Sequence, residues 1–162
     1  MSRAAGWTVA AVFAAAMLQT TWLPRLQVAG EWADPVLVLV LVTALLHGTE
    51  AGLVAGFAAG LLMGWLTSAA GAAFLISRLV GAVGIGFLAA HWHRENVLVQ
   101  MVAVVVGTIG CELVFAGLYP PLFETPDLAF RLCLRGLLNA LLAAPAMWLV
   151  DRLPWHLEVA RP

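Results

Sequence analysis

The sequence predicts an all-helical integral membrane protein, a compact bundle of six transmembrane helices. Three observations lead there. Apolar runs of membrane-crossing length follow one another from Gly6 to Val150, with nearly all charged residues in the breaks between them. The composition is 63% hydrophobic and only 10% charged, with a mean hydropathy of +0.97. So few charges cannot cover the surface of a soluble domain of this size. In lipid every backbone amide must be paired within the protein, which leaves helices or a closed barrel. Barrel strands are about 10 residues long and alternate apolar with polar side chains. Most of these runs approach the roughly 20 residues that cross about 30 Å of hydrocarbon, so helices are the expectation.

The spans are taken in order. The first runs over about Gly6–Leu23. Arg3 ahead of it and Ala14-Ala15-Ala16 within it imitate a cleaved signal peptide, but the apolar run continues to Leu23, so cleavage is not expected. The second, Asp34–His47, opens on Asp34-Pro35, an N-cap before a proline at the first helical position. Its alternating Val36-Leu37-Val38-Leu39-Val40-Leu41-Val42 would suggest a strand in water. An unpaired strand in lipid is too costly, so the segment is expected to be a short helix needing a thinned bilayer or a buried end. The third span, Glu50–Thr67, starts with an acid suited to the helix dipole. The fourth is Ala70–His91, and the fifth is Asn96–Leu118 with Asn96 as cap. The sixth, Pro126–Val150, repeats the capping device in Thr125-Pro126-Asp127. The longest stretches outside the spans are Pro24–Ala33 and Tyr119–Thr125, with a tail from Asp151. None suffices for a second domain, so residues 1–162 are read as one polytopic unit.

Arginine sets the orientation, because the chain has no lysine. Six spans put both termini on one side, with Arg3, Arg94, Arg152 and Arg161. The other side holds Arg25, with Arg131 near its edge, and the acids Glu31, Asp34, Glu124 and Asp127. The positive-inside rule then places both termini in the cytoplasm. The tryptophans agree: Trp7, Trp92, Trp148 and Trp155 fall at inner boundaries, Trp22, Trp32 and Trp65 at outer ones. Cys111 and Cys133 both lie within spans, where they serve as small apolar filler rather than a disulfide framework.

Catalytic signatures are missing from the sequence. There is no glycine-rich phosphate loop, nucleophile elbow or helical metal motif. His91 and His93, with Glu95, make a conceivable surface metal site, but residues two apart on a helix diverge, and span-ending polar residues are the simpler reading. No catalytic, cofactor or metal residue is assigned. Three features remain as candidate sites. Gly52, Gly56, Gly60 and Gly64, preceded by Gly48, recur every fourth residue along the third span. Such a ridge lets helices approach closely, either within the bundle or against a partner's helix. Arg78, Glu112 and Arg135 lie inside spans at depths that agree within about one helical turn. Charges there need partners. Arg78 with Glu112 is the expected pair, and Arg135, with Asn139 one turn further in, completes an Arg–Glu–Arg cluster in this reading; the alternative is that Arg78 or Arg135 snorkels to the outer phosphates, which dissolves the cluster. Tyr119-Pro120-Pro121-Leu122-Phe123 is apolar for an exposed turn, which makes Leu122 and Phe123 either headgroup anchors or an outer docking loop.

The run from Asp34-Pro35 to Val40, the stretch Gly52 to Leu62 with Gly56-Phe57-Ala58-Ala59-Gly60, then Gly71 and the Gly81–Gly86 region resemble the MreD family of rod-shape-determining membrane proteins. The resemblance spans nearly the whole chain, on glycine and apolar positions. One departure is Gly64, where the family often carries an aspartate, so no role of that acid is carried over. The resemblance implies a fold similar to the substrate-binding S-component of vitamin (ECF) importers. It also implies a non-catalytic scaffold of cell-wall elongation in the bacterial cytoplasmic membrane. Such a scaffold binds the single-span MreC and helps link MreB filaments to RodA and its class B transpeptidase partner, without a cofactor or nucleic acid. The fold similarity leaves an alternative, the small-molecule-binding component of an importer, which needs a polar-lined pocket open to the outside. No single span carries clustered hydrogen-bonding residues for such a pocket, so the scaffold is favoured. A proton-coupled transporter would want more intramembrane acids.

Overall fold

A computed structural model describes residues 3–67, 70–91, 96–122 and 127–152. It consists of six α-helices: α1 Arg3–Thr21, α2 Pro35–His47, α3 Thr49–Thr67, α4 Gly71–Ala89, α5 Val97–Leu118 and α6 Leu128–Arg152. Short 3₁₀ turns follow α1 at Leu23–Arg25 and α5 at Pro120–Leu122. Among the described residues, five helices are long and apolar enough to cross a membrane, and only α2 is shorter. The boundaries lie within a few residues of the sequence expectation. The largest difference is at α1, which runs over Arg3–Thr21 against the expected Gly6–Leu23. Helix α6 begins at Leu128 behind an Asp127 with φ of 59° whose carbonyl accepts from Arg131 N–H, while Thr125 and Pro126 of the expected cap lie outside the described residues.

Helix α2 is the centre of the bundle. It packs against α1, α3, α4, α5 and α6, and every residue from Val36 to Leu45 is buried. This resolves the sequence puzzle of its uniform hydrophobicity. A helix enclosed by protein on all sides shows no polar stripe, so its β-branched alternation carries no strand meaning. Its 13 residues span only about 20 Å at 1.5 Å per residue. No thinned bilayer is required, because lipid does not meet its sides. Gly48, with φ of 87°, ends α2 and passes the chain to α3 within one residue, a conformation glycine adopts without strain.

Register between glycines and their neighbours shows the up-and-down order. On α3, Gly52 meets Ala44 of α2, then Gly56, Gly60 and Gly64 meet Arg78, Leu75 and Gly71 of α4. At the other end of that pair, Gly86 of α4 meets Thr49. The ridge therefore faces inward: Gly52, Gly56 and Gly60 are buried, and Gly64 is half-buried. A row of every fourth residue drifts around a helix, which is why it starts on α2 and finishes on α4. Gly81 of α4 lies on Cys111 of α5, Gly107 of α5 on Ile85 and Leu41, and Gly136 of α6 on Val105. These contacts run antiparallel for α3 with α4 and for α4 with α5, and Asn139 on Thr108 with Arg135 on Glu112 shows the same for α5 with α6. The ends of α1, α3 and α5 gather with the starts of α2, α4 and α6 at one end of the bundle.

The outward surface is apolar. Phe13, Phe57, Phe87, Leu98 and Leu141 project from α1, α3, α4, α5 and α6. Trp7, Trp22, Trp65 and Trp148 are exposed and Trp32 is half-buried, while Trp92 and Trp155 lie outside the described residues.

A methyl group separates the inner from the outer glycines. A Cβ on Gly60 would sit 2.6 Å from the Leu75 backbone, whereas one on Gly84 meets nothing within 4 Å. Gly60→Ala is expected to lower stability in detergent by about 1–3 kcal/mol, and Gly84→Ala to leave it unchanged or raise it by up to about 1 kcal/mol. Thermal unfolding of the two variants side by side checks this. Equal melting would mean α3 and α4 are not in backbone contact.

Candidate functional site

The buried charged residues, Glu31, Asp34, Arg78 and Glu112, converge at the end of the bundle where α2, α4 and α6 begin. Their arrangement begins with the start of α2. Pro35 has no N–H to satisfy, Val36 N–H donates to Gln19 Oε1 of α1 at 3.4 Å, and Leu37 N–H donates to the Asp34 Oδ1 cap at 2.8 Å. Val38 N–H closes the first helical bond onto the Asp34 carbonyl. The orphan donors of a buried helix start are thus accounted for one by one. Asp34 carries two further bonds. Its backbone N–H donates to Asn139 Oδ1 of α6 at 2.7 Å, and its Oδ2 accepts from Arg78 Nη2 of α4 at 2.5 Å. Asn139 Nδ2 in turn donates to Thr108 of α5 at 3.1 Å. One residue therefore joins α2 to α4 directly and to α5 through α6.

A second ionic group lies beside it. Ala29 and Gly30 both have positive φ, and Val28 and Glu31 exchange backbone hydrogen bonds across them, as in a two-residue hairpin turn. The turn folds the Glu31 side chain inward. Glu31 Oε1 accepts from Arg131 Nε at 2.7 Å and Oε2 from Arg135 Nη2 at 2.6 Å, and Arg135 Nη1 reaches Glu112 Oε1 at 3.1 Å. Arg135 thereby bridges the loop to α5, with each carboxylate held by charge-assisted bonds.

The sequence expectation for these charges needs correction. Arg78 is paired with Asp34, not Glu112, and Glu112 is paired with Arg135. An arginine–carboxylate–arginine cluster exists, but its centre is Glu31 rather than Glu112. Asp34 and Glu31 were legible only as a cap and a loop charge. The segment from Glu31 to Asp34 turns into the bundle, so Glu31, Ala33 and Asp34 are all buried. Non-helical backbone is tolerated there because protein surrounds it. The one available signal was Asp34-Pro35 itself, since a helix start with an acidic cap offers a charge to any buried arginine.

Two adjoining cavities open among these residues. One of about 130 Å³ is lined by Glu31, Trp32, Glu112, Arg131 and Arg135 among others. The other, of about 230 Å³, is lined by the polar Gln19, Asp34, Arg78, Glu112 and Arg135 together with Trp32, Met63, Phe74 and Phe115. The residues come from α1, the α1–α2 loop and α3 to α6, so separate helices build together what no single span offers. That removes the sequence-based reason for discounting a polar-lined pocket.

The remaining candidates are placed differently. Pro120–Leu122 forms the short turn after α5, while the Leu122 side chain and all of Phe123 lie outside the described residues, so a docking role for that loop has no geometry to rest on. His91 turns its ring nitrogen to Phe87 O at 3.1 Å, and His93 and Glu95 also fall outside the described residues. Among the described residues no three metal-ligating side chains gather. Comparison with protein-family models, curated proteins and solved structures finds no match for this chain.

The Asp34–Arg78 pair makes a specific energetic demand. Asp34→Asn keeps a good N-cap but leaves Arg78, 1% exposed, without its counter-charge. A stability loss of about 3–5 kcal/mol is expected. Adding Arg78→Met should recover more than half of it, because removing both charges avoids the uncompensated one. Unfolding of the single and double variants in detergent provides the check; an additive second loss would contradict the pairing.

Proposed function

We propose that this protein is a non-catalytic membrane scaffold of the MreD type, holding a single-span MreC-like partner beside the cell-wall elongation machinery. The observation that supports the reading most is how the interior charges are used. Arg78 with Asp34, Arg135 with Glu112, and Arg131 and Arg135 with Glu31 tie helices and loop to one another. They fix one packing of the bundle. Buried polar groups are best attested in that registry role, and a scaffold needs a fixed shape to present. The lipid-facing apolar faces of five helices then remain for lateral contacts with other spans. In this reading the termini are cytoplasmic, where MreB filaments lie, and the ionic end faces the cell-wall side with RodA and its transpeptidase.

The larger cavity favours a second reading, the small-molecule-binding component of an importer, which requires a polar-lined pocket on the outer side. Affinity purification from native membranes in mild detergent separates the two. Near-stoichiometric recovery of a single-span protein with an extracytoplasmic domain is expected. Recovery of an ATPase pair with a coupling subunit would overturn the scaffold in favour of the importer.

A further inference from the structure

Two buried polar side chains each keep one unengaged atom open to the larger cavity. Glu112 is 4% exposed and Gln19 is 9% exposed, and both line it. Glu112 Oε1 takes the bond from Arg135 Nη1, while no described residue donates to Oε2. Gln19 Oε1 accepts from Val36 N–H. That bond orients the carboxamide and leaves the two donors of Nε2 without an acceptor among the described residues. The partnerless side-chain atoms sealed from any probe include Nε and Nη1 of Arg78, but neither Glu112 Oε2 nor Gln19 Nε2. These two atoms are therefore accessible, and in residues this buried their accessible surface lies on the cavities they line.

The surroundings narrow the occupant. Asp34, Arg78 and Arg135 are engaged in ion pairs, and the rest of the lining is largely Trp32, Met63, Phe74 and Phe115. An apolar lining with a few placed polar groups is the composition of a ligand pocket. Arg78, Arg131 and Arg135 face Glu31, Asp34 and Glu112, so the formal charge of the group is balanced. A ligand with net charge would be left uncompensated in a poorly solvated place. The volume of about 230 Å³ exceeds the roughly 150 Å³ that accommodates benzene in an apolar protein cavity. It falls below the range of drug-sized pockets.

We propose that this cavity binds a small uncharged molecule of the carboxamide type, carrying both a hydrogen-bond donor and an acceptor on an apolar body. Its N–H donates to Glu112 Oε2 and its oxygen accepts from Gln19 Nε2. The proposal does not rest on the scaffold reading. Co-purification tests that reading, whereas ligand binding is read on the isolated chain, and either can fail without the other.

The test uses the full chain in lipid nanodiscs and four probes of one shape. Benzamide is neutral and both donates and accepts, and acetophenone keeps the carbonyl but has a methyl group in place of the donor. Benzamidinium and benzoate carry a positive and a negative charge. Equilibrium dialysis of radiolabelled benzamide against loaded and empty nanodiscs reads saturable binding, and competition ranks the other three. Benzamide is expected to bind, with acetophenone weaker by about tenfold or more for want of a bond to a charged acceptor. Both ions should also be weaker by about tenfold or more. Glu112→Gln keeps an oxygen for Arg135 but turns the free acceptor into a donor, so the preference for benzamide over acetophenone should vanish. Thr67 lines the cavity, is exposed, and bonds only to its own helix through Met63 O. Thr67→Trp therefore fills part of the cavity without touching the ion pairs, and should melt like wild type yet lose benzamide. This variant and the probe ranking decide the matter even if Glu112→Gln does not fold. Four results would each overturn the proposal: no saturable excess over empty nanodiscs, which leaves water as the occupant; acetophenone as tight as benzamide; either ion tighter than benzamide; or undiminished binding in a folded Thr67→Trp.

Discussion

The bond between Asp34 and Arg78 is the constraint on which the rest of the structure depends. Helix α2 begins inside the bundle, so its first turn cannot turn to water for hydrogen bonds. A proline, a capping carboxylate and the Gln19 side chain meet that need locally. The carboxylate introduces a buried negative charge, and Arg78 of α4 neutralises it. Asn139 then fixes the Asp34 backbone from α6 and is itself fixed by Thr108 of α5. Each partner follows from the one before. The short central helix sets the polar chemistry of the far end of the bundle.

Much of the fold was legible because lipid restricts the options. Hydropathy and the lack of any alternative to helices locate six segments, and Asp34-Pro35 and Asn96 mark two starts that the structure shows as side-chain caps. The fourfold glycine spacing indicates close packing, although the choice of α4 over a foreign helix lies in tertiary contacts. Central burial of α2 was hidden for the same reason: a uniformly apolar helix is compatible with lipid or protein on every side. The charge pairing was the least legible part. Depth along a helix brings Arg78 and Glu112 level, but azimuth and the inward turn of Glu31 to Asp34 decide who meets whom. A two-residue hairpin at Ala29-Gly30 carries no charge signal, yet it aims Glu31 at two arginines.

Two properties of the bundle bear on what it does. Glycine contacts along α3 and α4 bring backbones together over the whole length of both helices, which resists sliding. The ionic group closes the opposite problem, fixing which helix ends lie together. Between them lies a cavity lined by both charged and aromatic side chains. The flanks of this bundle are apolar, and its charged residues and cavity are kept to one end.

The central claim is that Asp34 holds α2, α4 and α6 together as one cooperative junction. Amide hydrogen exchange of wild-type protein and Asp34→Asn in lipid nanodiscs tests it most directly, because local and shared opening leave different patterns. The junction predicts faster exchange in the variant at the starts of α2, α4 and α6 together, with the opposite end of the bundle unaffected. Acceleration confined to the first turn of α2 would show that Asp34 is only a helix cap, and would contradict the account.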